Sequence, residues 1–203
     1  MGYNLLTDFI TFFTVIDPIG TIPVFIAVTA TATAREKRIM AWKSALVAAI
    51  VLIFFVVAGE LILNAINVPL STFQIAGGII LFLFALTMLF GESKADKEMK
   101  QISGSTDKAV FPLAMPSMAS PGAILAAILL TENSKHDVLD QLFTSLTMMA
   151  VMLIAWLFMA LSARLFKYIG NSGAAVISRI MGLILSAVAV ANVLAGFKEY
   201  FRL

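Results

Sequence analysis

Apolar residues run through this chain in long blocks rather than as stripes on short elements. Six blocks come close to the about 20 residues that cross a bilayer: roughly 5–30, 42–65, 70–91, 109–130, 139–163 and 177–197. They predict six transmembrane helices. The breaks between them carry breaker chemistry. Residues 35–43 are basic; Asn64, Asn67 and Pro69 predict a tight turn; 91–108 is the one long polar loop; 131–137 is short and charged; 164–179 holds Gly170, Asn171 and Gly173. The expected fold class is therefore all-α, a polytopic membrane protein built as one membrane domain over 1–203.

Composition agrees with that pattern. Of 203 residues, 61% are hydrophobic and only 13% charged, where a soluble domain is about half apolar and about a quarter charged. So few charges cannot coat a water-facing surface, and the outer surface must face lipid. The net charge is +2, with the basic residues in short clusters, which excludes a nucleic-acid face. The absence of cysteine excludes disulfides, thiolate metal sites and a cysteine nucleophile. Residues 1–8 contain no Lys or Arg, so the first block is expected to be a retained helix rather than a signal peptide. Eleven basic residues fall on one side of a six-span topology (Arg35, Lys37, Arg38, Lys43, Lys94, Lys97, Lys100, Lys108, Arg164, Lys167, Arg179). Three, Lys135, Lys198 and Arg202, fall on the other. The positive-inside bias places both termini away from the cytoplasm.

The two halves share landmarks. Asp17-Pro18-Ile19-Gly20 in the first span pairs with Ser120-Pro121-Gly122 in the fourth, with Pro18 and Pro121 separated by 103 positions; Gly78-Ile79-Ile80-Leu81 pairs with Gly182-Leu183-Ile184-Leu185 at an offset of 104. Duplication of a three-span unit places the second copy upside down. The expectation is two inverted repeats, 1–91 and 109–203, joined by a linker at 92–108, an architecture of transporters.

Asp17-Pro18 and Ser120-Pro121 each read as an N-cap followed by proline at the first helical position, yet each lies inside an apolar block. Pro23, Pro112 and Pro116 reinforce the interruption, since proline removes a backbone donor. Spans one and four are expected to stop and restart near mid-membrane. Freed backbone groups are tolerated there only inside protein or beside a wet cavity, and a helix start points N–H groups and positive dipole toward it. Asp17, Pro18, Gly20, Ser120, Pro121 and Gly122 are thus candidate substrate-binding residues, with the small residues allowing close approach. Asp17, a carboxylate deep in a span, is a functional candidate, as receiver of an ammonium group or carrier of a coupling proton; it also reads as a helix cap bonded to the N–H groups of residues 19–20. Arg179 either snorkels at the boundary, pairs with an acid or binds a carboxylate. Gln74 and Asn192 are polar lining or interhelical hydrogen-bonding residues. Glu60 reads as interfacial, His136 as a loop residue, and Phe12, Phe13, Phe25, Met148, Met149 and Met152 as lipid-facing or packing residues. Neither His-Glu-x-x-His nor Gly-x-Ser-x-Gly occurs, so no enzymatic activity, cofactor or metal is expected. An ATP-binding motif is missing too.

The segments Asp17-Pro18-Ile19-Gly20-Thr21-Ile22-Pro23-Val24-Phe25, Ala76-Gly77-Gly78-Ile79-Ile80-Leu81, Pro112-Leu113-Ala114-Met115-Pro116 with Ser120-Pro121-Gly122-Ala123, and Arg179-Ile180-Met181-Gly182-Leu183-Ile184-Leu185 resemble the MarC family of bacterial and archaeal membrane proteins. The resemblance covers essentially the whole chain, with Ser120 where many relatives have Gly. It implies a six-helix inner-membrane protein and, from some members, a transporter of small neutral amino acids such as glycine and alanine. A zwitterion would offer a carboxylate to helix N-termini and an ammonium to Asp17. The partners expected are a small-molecule substrate, a coupling proton or sodium ion, the lipid bilayer and no nucleic acid, with a homo-oligomer left open. Carriage of another small metabolite or drug, or service as an accessory subunit, are the alternatives.

Overall fold

The structure, a computed structural model, describes residues 5–90, 109–133 and 136–202. The linker expected at 92–108 lies outside them, as does Lys135. Among the described residues there are helices and no strand: α1 (Leu5–Ile16), α2 (Pro18–Val28), α3 (Ala34–Ala65), α4 (Leu70–Phe90), a wide helical segment α5 (Ala109–Met118), α6 (Pro121–Leu129), α7 (Val138–Ala160) and α8 (Ser162–Phe201). Five stretches are long and apolar enough to cross a membrane: Leu5–Val28, Ala34–Ala65, Leu70–Phe90, Val138–Ala160 and Ala175–Phe201. The pair α5 and α6, bent by 55°, makes a sixth when counted as one span.

Two segments read as breaks are helical. The basic run 35–43 belongs to α3, which begins at a capping box: Thr33 Oγ1 accepts from Glu36 N, and Glu36 Oε2 accepts from Thr33 N at 2.7 Å. The Thr-x-x-Glu signature satisfies the first-turn donors, so the helix starts before the apolar block does. At 32 residues, α3 is about 48 Å long against about 30 Å of hydrocarbon, and its first turns lie outside it. The stretch 164–179 is likewise helical within α8, interrupted at Gly170, whose φ of 64° and ψ of 178° only glycine adopts freely.

The buried core runs between the helices, from Phe12, Ile16, Val24 and Phe25 through Ala48, Leu52, Leu81 and Ala85 to Leu113, Met118, Met148, Ala155, Leu185 and Ala189. The outward faces of α3, α4, α7 and α8 are apolar as well, exposing Ile50, Val57, Leu83, Leu153 and Leu194. Apolar residues on both sides suit a lipid solvent. Phe12, Phe25, Met148 and Met152 are core residues, whereas Met149 is exposed.

The principal helix contacts pair off. α4 packs along α8, and α3 along α7; α1 and α2 lie on α7 as α5 and α6 lie on α3; α2 touches α8 as α6 touches α4; α1 touches α6 as α5 touches α2. Close approach in the α4–α8 seam follows the same exchange. A Cβ added to Gly78 would sit 3.0 Å from the Ala189 carbonyl, and one added to Gly182 would sit 3.1 Å from the Ala85 carbonyl. Small residues let membrane helices pack backbone to backbone.

Trp42, near the start of α3, stacks edge-on against Trp156, near the end of α7, with centroids 6.1 Å apart. The two helices are therefore antiparallel, and Thr31 and Val138, both exposed, mark opposite ends. Because the chain lacks cysteine, Thr31→Cys and Val138→Cys are single-label probes. A membrane-impermeant maleimide is expected to label Val138→Cys in intact cells, and Thr31→Cys only after lysis. The reverse order would invert the topology drawn from the basic residues.

Candidate functional site

Asp17 and Pro18 interrupt the first span as their chemistry requires. Pro18 has no N–H, so a continuous helix through it would lack a bond. Asp17 takes the left-handed conformation (φ 52°, ψ 65°), and its Oδ1 accepts from Gly20 N at 2.9 Å. Asp is among the few non-glycine residues that populate this region. A Cβ on Gly20 would run into the Asp17 carboxylate, so the cap needs glycine three residues on. The Asp17 carbonyl accepts from both Thr21 N and Thr21 Oγ1, at 3.1 and 3.0 Å. Pro23 is carried inside α2 without ending it.

The fourth span is interrupted in a related way. In α5, Phe111 and Met115 have extended backbone angles, and the bonds preceding Pro112 and Pro116 are cis. Ser120 then caps α6, with Oγ accepting from Ala123 N at 3.1 Å and Pro121 at the first helical position. Asp17 and Ser120 thus do the same job at the same spacing, each holding the N–H three residues on.

The two breaks meet. Ser120 Oγ donates to the Val15 carbonyl at 2.9 Å. In an unbroken helix that carbonyl would take the N–H of Ile19, so a hydroxyl of the second half answers a carbonyl that the first break orphans. Thr21 Oγ1 and Ser117 Oγ stand 3.4 Å apart, a second link between the halves. Asp17, Pro18, Gly20, Thr21, Ser117, Ser120 and Gly122 are all buried. A cavity of about 50 Å³ opens beside the junction, lined by Thr11 and Val15 of α1, Leu81 of α4, Gly122, Leu125 and Ala126 of α6, and Val188 and Asn192 of α8, among others. A Cβ on Gly122 would strike Leu81.

The two helix starts differ in charge. Asp17 puts a carboxylate on the start of α2. Ser120 caps α6 with a neutral hydroxyl, so its own cap brings no charge to the positive end of the α6 dipole.

Not every candidate from the sequence lies here. Pro121 is exposed, and Arg179 is exposed on α8. Gln74 Nε2 donates to Asn192 Oδ1 at 3.3 Å, joining α4 to α8, and Asn192 also lines the cavity. Glu60 Oε2 accepts from Asn133 N and Nδ2 at 3.0 and 2.8 Å, tying the end of α3 to the turn after α6. His136 is half-buried in that region, and its carbonyl accepts from Gln141.

Besides Asp17, which lies near the centre of its span, two acids nearer the span ends are buried. Asp8 is only 8% exposed and Oδ2 accepts from Thr144 Oγ1 at 2.7 Å. Glu132 is 5% exposed in the turn after α6. Asp8 has a signal in the sequence, a lone acid in an apolar block; for Thr21 and Ser117 there is none, since ordinary helix hydroxyls gain meaning only from what they face.

A many-span, all-helical chain with a helix break buried in each half is an integral membrane protein. The sequence matches the model of the MarC family, described as a MarC family integral membrane protein, over residues 3–201, and the chain belongs to that family. It is 32% identical to a UPF0056 membrane protein of Methanocaldococcus jannaschii over 193 residues, 94% of each chain. It is 34% identical to one of Archaeoglobus fulgidus over 195 residues, 95% of this chain and 91% of the other. With YhcE, a UPF0056 membrane protein of Escherichia coli, it shares 33% identity over 198 residues, 95% of this chain and 91% of that one. No solved structure matches.

Proposed function

We propose that this protein is a secondary transporter of small neutral amino acids, working by alternating access between two inverted three-helix halves in the inner membrane, with both termini on the non-cytoplasmic side. The observation that carries the reading is the buried meeting of two mid-span helix starts, one capped by the Asp17 carboxylate and the other by the neutral Ser120 hydroxyl. That pair complements a zwitterion: the ammonium faces the Asp17 carboxylate, and the carboxylate faces the Gly122 N–H and the positive end of the α6 dipole. The cavity beside the junction is lined by neither Asp17 nor Ser120, and its size argues against a drug-sized ligand there. Drug-sized ligands occupy pockets of roughly 300–1,000 Å³, whereas this cavity is about 50 Å³. Inversion is supported by the exchange of helix contacts and by Gly78 and Gly182 facing Ala189 and Ala85. Coupling to a proton or sodium ion is part of the proposal, with Asp17 as the group it would act through; catalysis is not.

The test is uptake of labelled glycine and alanine into proteoliposomes, with and without an imposed pH gradient. Saturable uptake, reduced by unlabelled glycine or alanine and unaffected by large aromatic drugs, is expected. Folded protein that moves neither amino acid in either direction would overturn the substrate assignment. Export of a different small metabolite would then be the reading to pursue.

A further inference from the structure

Outside the junction, the seam between α3 and α7 holds an apolar groove of about 290 Å³, lined by Trp42, Ala45, Leu46 and Ala49 of α3 and by Met149, Met152, Leu153 and Trp156 of α7. From Trp42 to Ala49 it runs about 10 Å along the helix. It begins where α3 leaves its basic first turns. At 100° per residue, Arg35 and Arg38 fall on the same side of α3 as Trp42, Ala45, Leu46 and Ala49, while Lys37 points the opposite way. Both arginines are exposed, and neither makes an ion pair among the described residues. The acid of that turn, Glu36, is folded back onto Thr33.

We propose that this groove binds an anionic phospholipid, with an acyl chain lying along the groove against Trp42 and Trp156 and the headgroup phosphate on Arg35 and Arg38. Ordinary lipid would cover any apolar face. What singles out an anionic lipid is the register: an unneutralised guanidinium pair stands about one to two helical turns above the tryptophans, on the same stripe. Guanidinium forks suit phosphate oxygens, and basic residues at the membrane surface favour anionic headgroups. The groove does not touch the helix-break junction, so the lipid site is independent of the transport reading.

The chain has two tryptophans, and both line this groove. Quenching of tryptophan fluorescence by lipids brominated along the acyl chain therefore reads its occupancy directly. The full chain would be reconstituted in mixtures of brominated phosphatidylglycerol or brominated phosphatidylcholine with unbrominated phosphatidylcholine. Wild type is expected to favour phosphatidylglycerol by about five-fold or more. The double variant Arg35→Gln, Arg38→Gln should bring that ratio to about one. A charge-matched control, Lys37→Gln with Lys167→Gln, should keep it, and circular dichroism would verify folding of both. Equal quenching by the two lipids in wild type would overturn the proposal. So would loss of preference in the control as well as the arginine variant, which would mean a diffuse charge effect. Weak quenching by both lipids, together with crosslinking between chains, would also overturn it and identify a second copy of the chain as the occupant.

Discussion

Asp17→Asn is expected to fold like wild type and to transport at least about 30-fold less efficiently. Asn caps helices as well as Asp does and tolerates the left-handed conformation that residue 17 adopts. The bond to Gly20 N and the turn are therefore retained. The negative charge is lost, and removing one member of a buried charge pair costs about 2–5 kcal/mol, which sets the scale of the transport defect. Asp17→Ala would do something different. It loses the cap, worth about 1 kcal/mol, and places a Cβ residue without a local side-chain bond at positive φ, about 1–2 kcal/mol more. Asp17→Gly should recover the backbone term but not the cap. Thermal melting in detergent across the three variants, with glycine uptake measured on each, separates cap from charge. Wild-type transport by Asp17→Asn would remove the ammonium role; a melting point for Asp17→Asn as low as for Asp17→Ala would remove the account of the cap.

Gly78→Leu and Gly182→Leu are each expected to lose about 3 kcal/mol of stability. At both positions the nearest obstacles include backbone carbonyls, Ala189 O at 3.0 Å and Ala85 O at 3.1 Å from the added Cβ. A neighbouring side chain can rotate away, but a helix backbone cannot, so relief requires separating α4 from α8 along their whole seam. Overpacking of this kind costs about 1–3 kcal/mol, and loss of the shared Gln74–Asn192 bond adds to it. Leu83→Ala, on the exposed side of α4, should stay within about 0.5 kcal/mol. Denaturation in mixed micelles, followed by circular dichroism, measures both. If Leu at either glycine behaves like the Leu83 variant, the α4–α8 seam is not the close contact described.

Much of the membrane architecture was legible because its causes are local. Asp17-Pro18 and Ser120-Pro121 announced helix starts within apolar blocks, since a missing N–H and a side-chain acceptor act within one turn. The Thr33–Glu36 capping box was equally available in the sequence but was outweighed by the basic run that follows it, so α3 was expected to begin at 42. At 164–179 glycine and charge suggested a loop, whereas a single positive-φ residue, Gly170, is enough to redirect a chain that otherwise stays helical. For Arg179 the sequence leaves two readings open, snorkelling at the boundary or engaging an acidic group. Which way it faces depends on how α8 rotates in the packed structure, where Arg179 is exposed.

By itself the sequence determined that the chain lives in lipid, where its spans lie and where two of them break. Span length and composition are imposed by the thickness and polarity of the bilayer, and proline and capping chemistry act on their own turn. Only the tertiary structure decided that the two breaks meet, because the Val15 carbonyl finds its donor in Ser120, 105 residues away. It likewise decided that Asp8 is buried against Thr144, and that Trp42 and Trp156 close one groove. Each of these depends on how helices rotate and pack against one another, and that is set by the sum of many weak contacts rather than by any local signal.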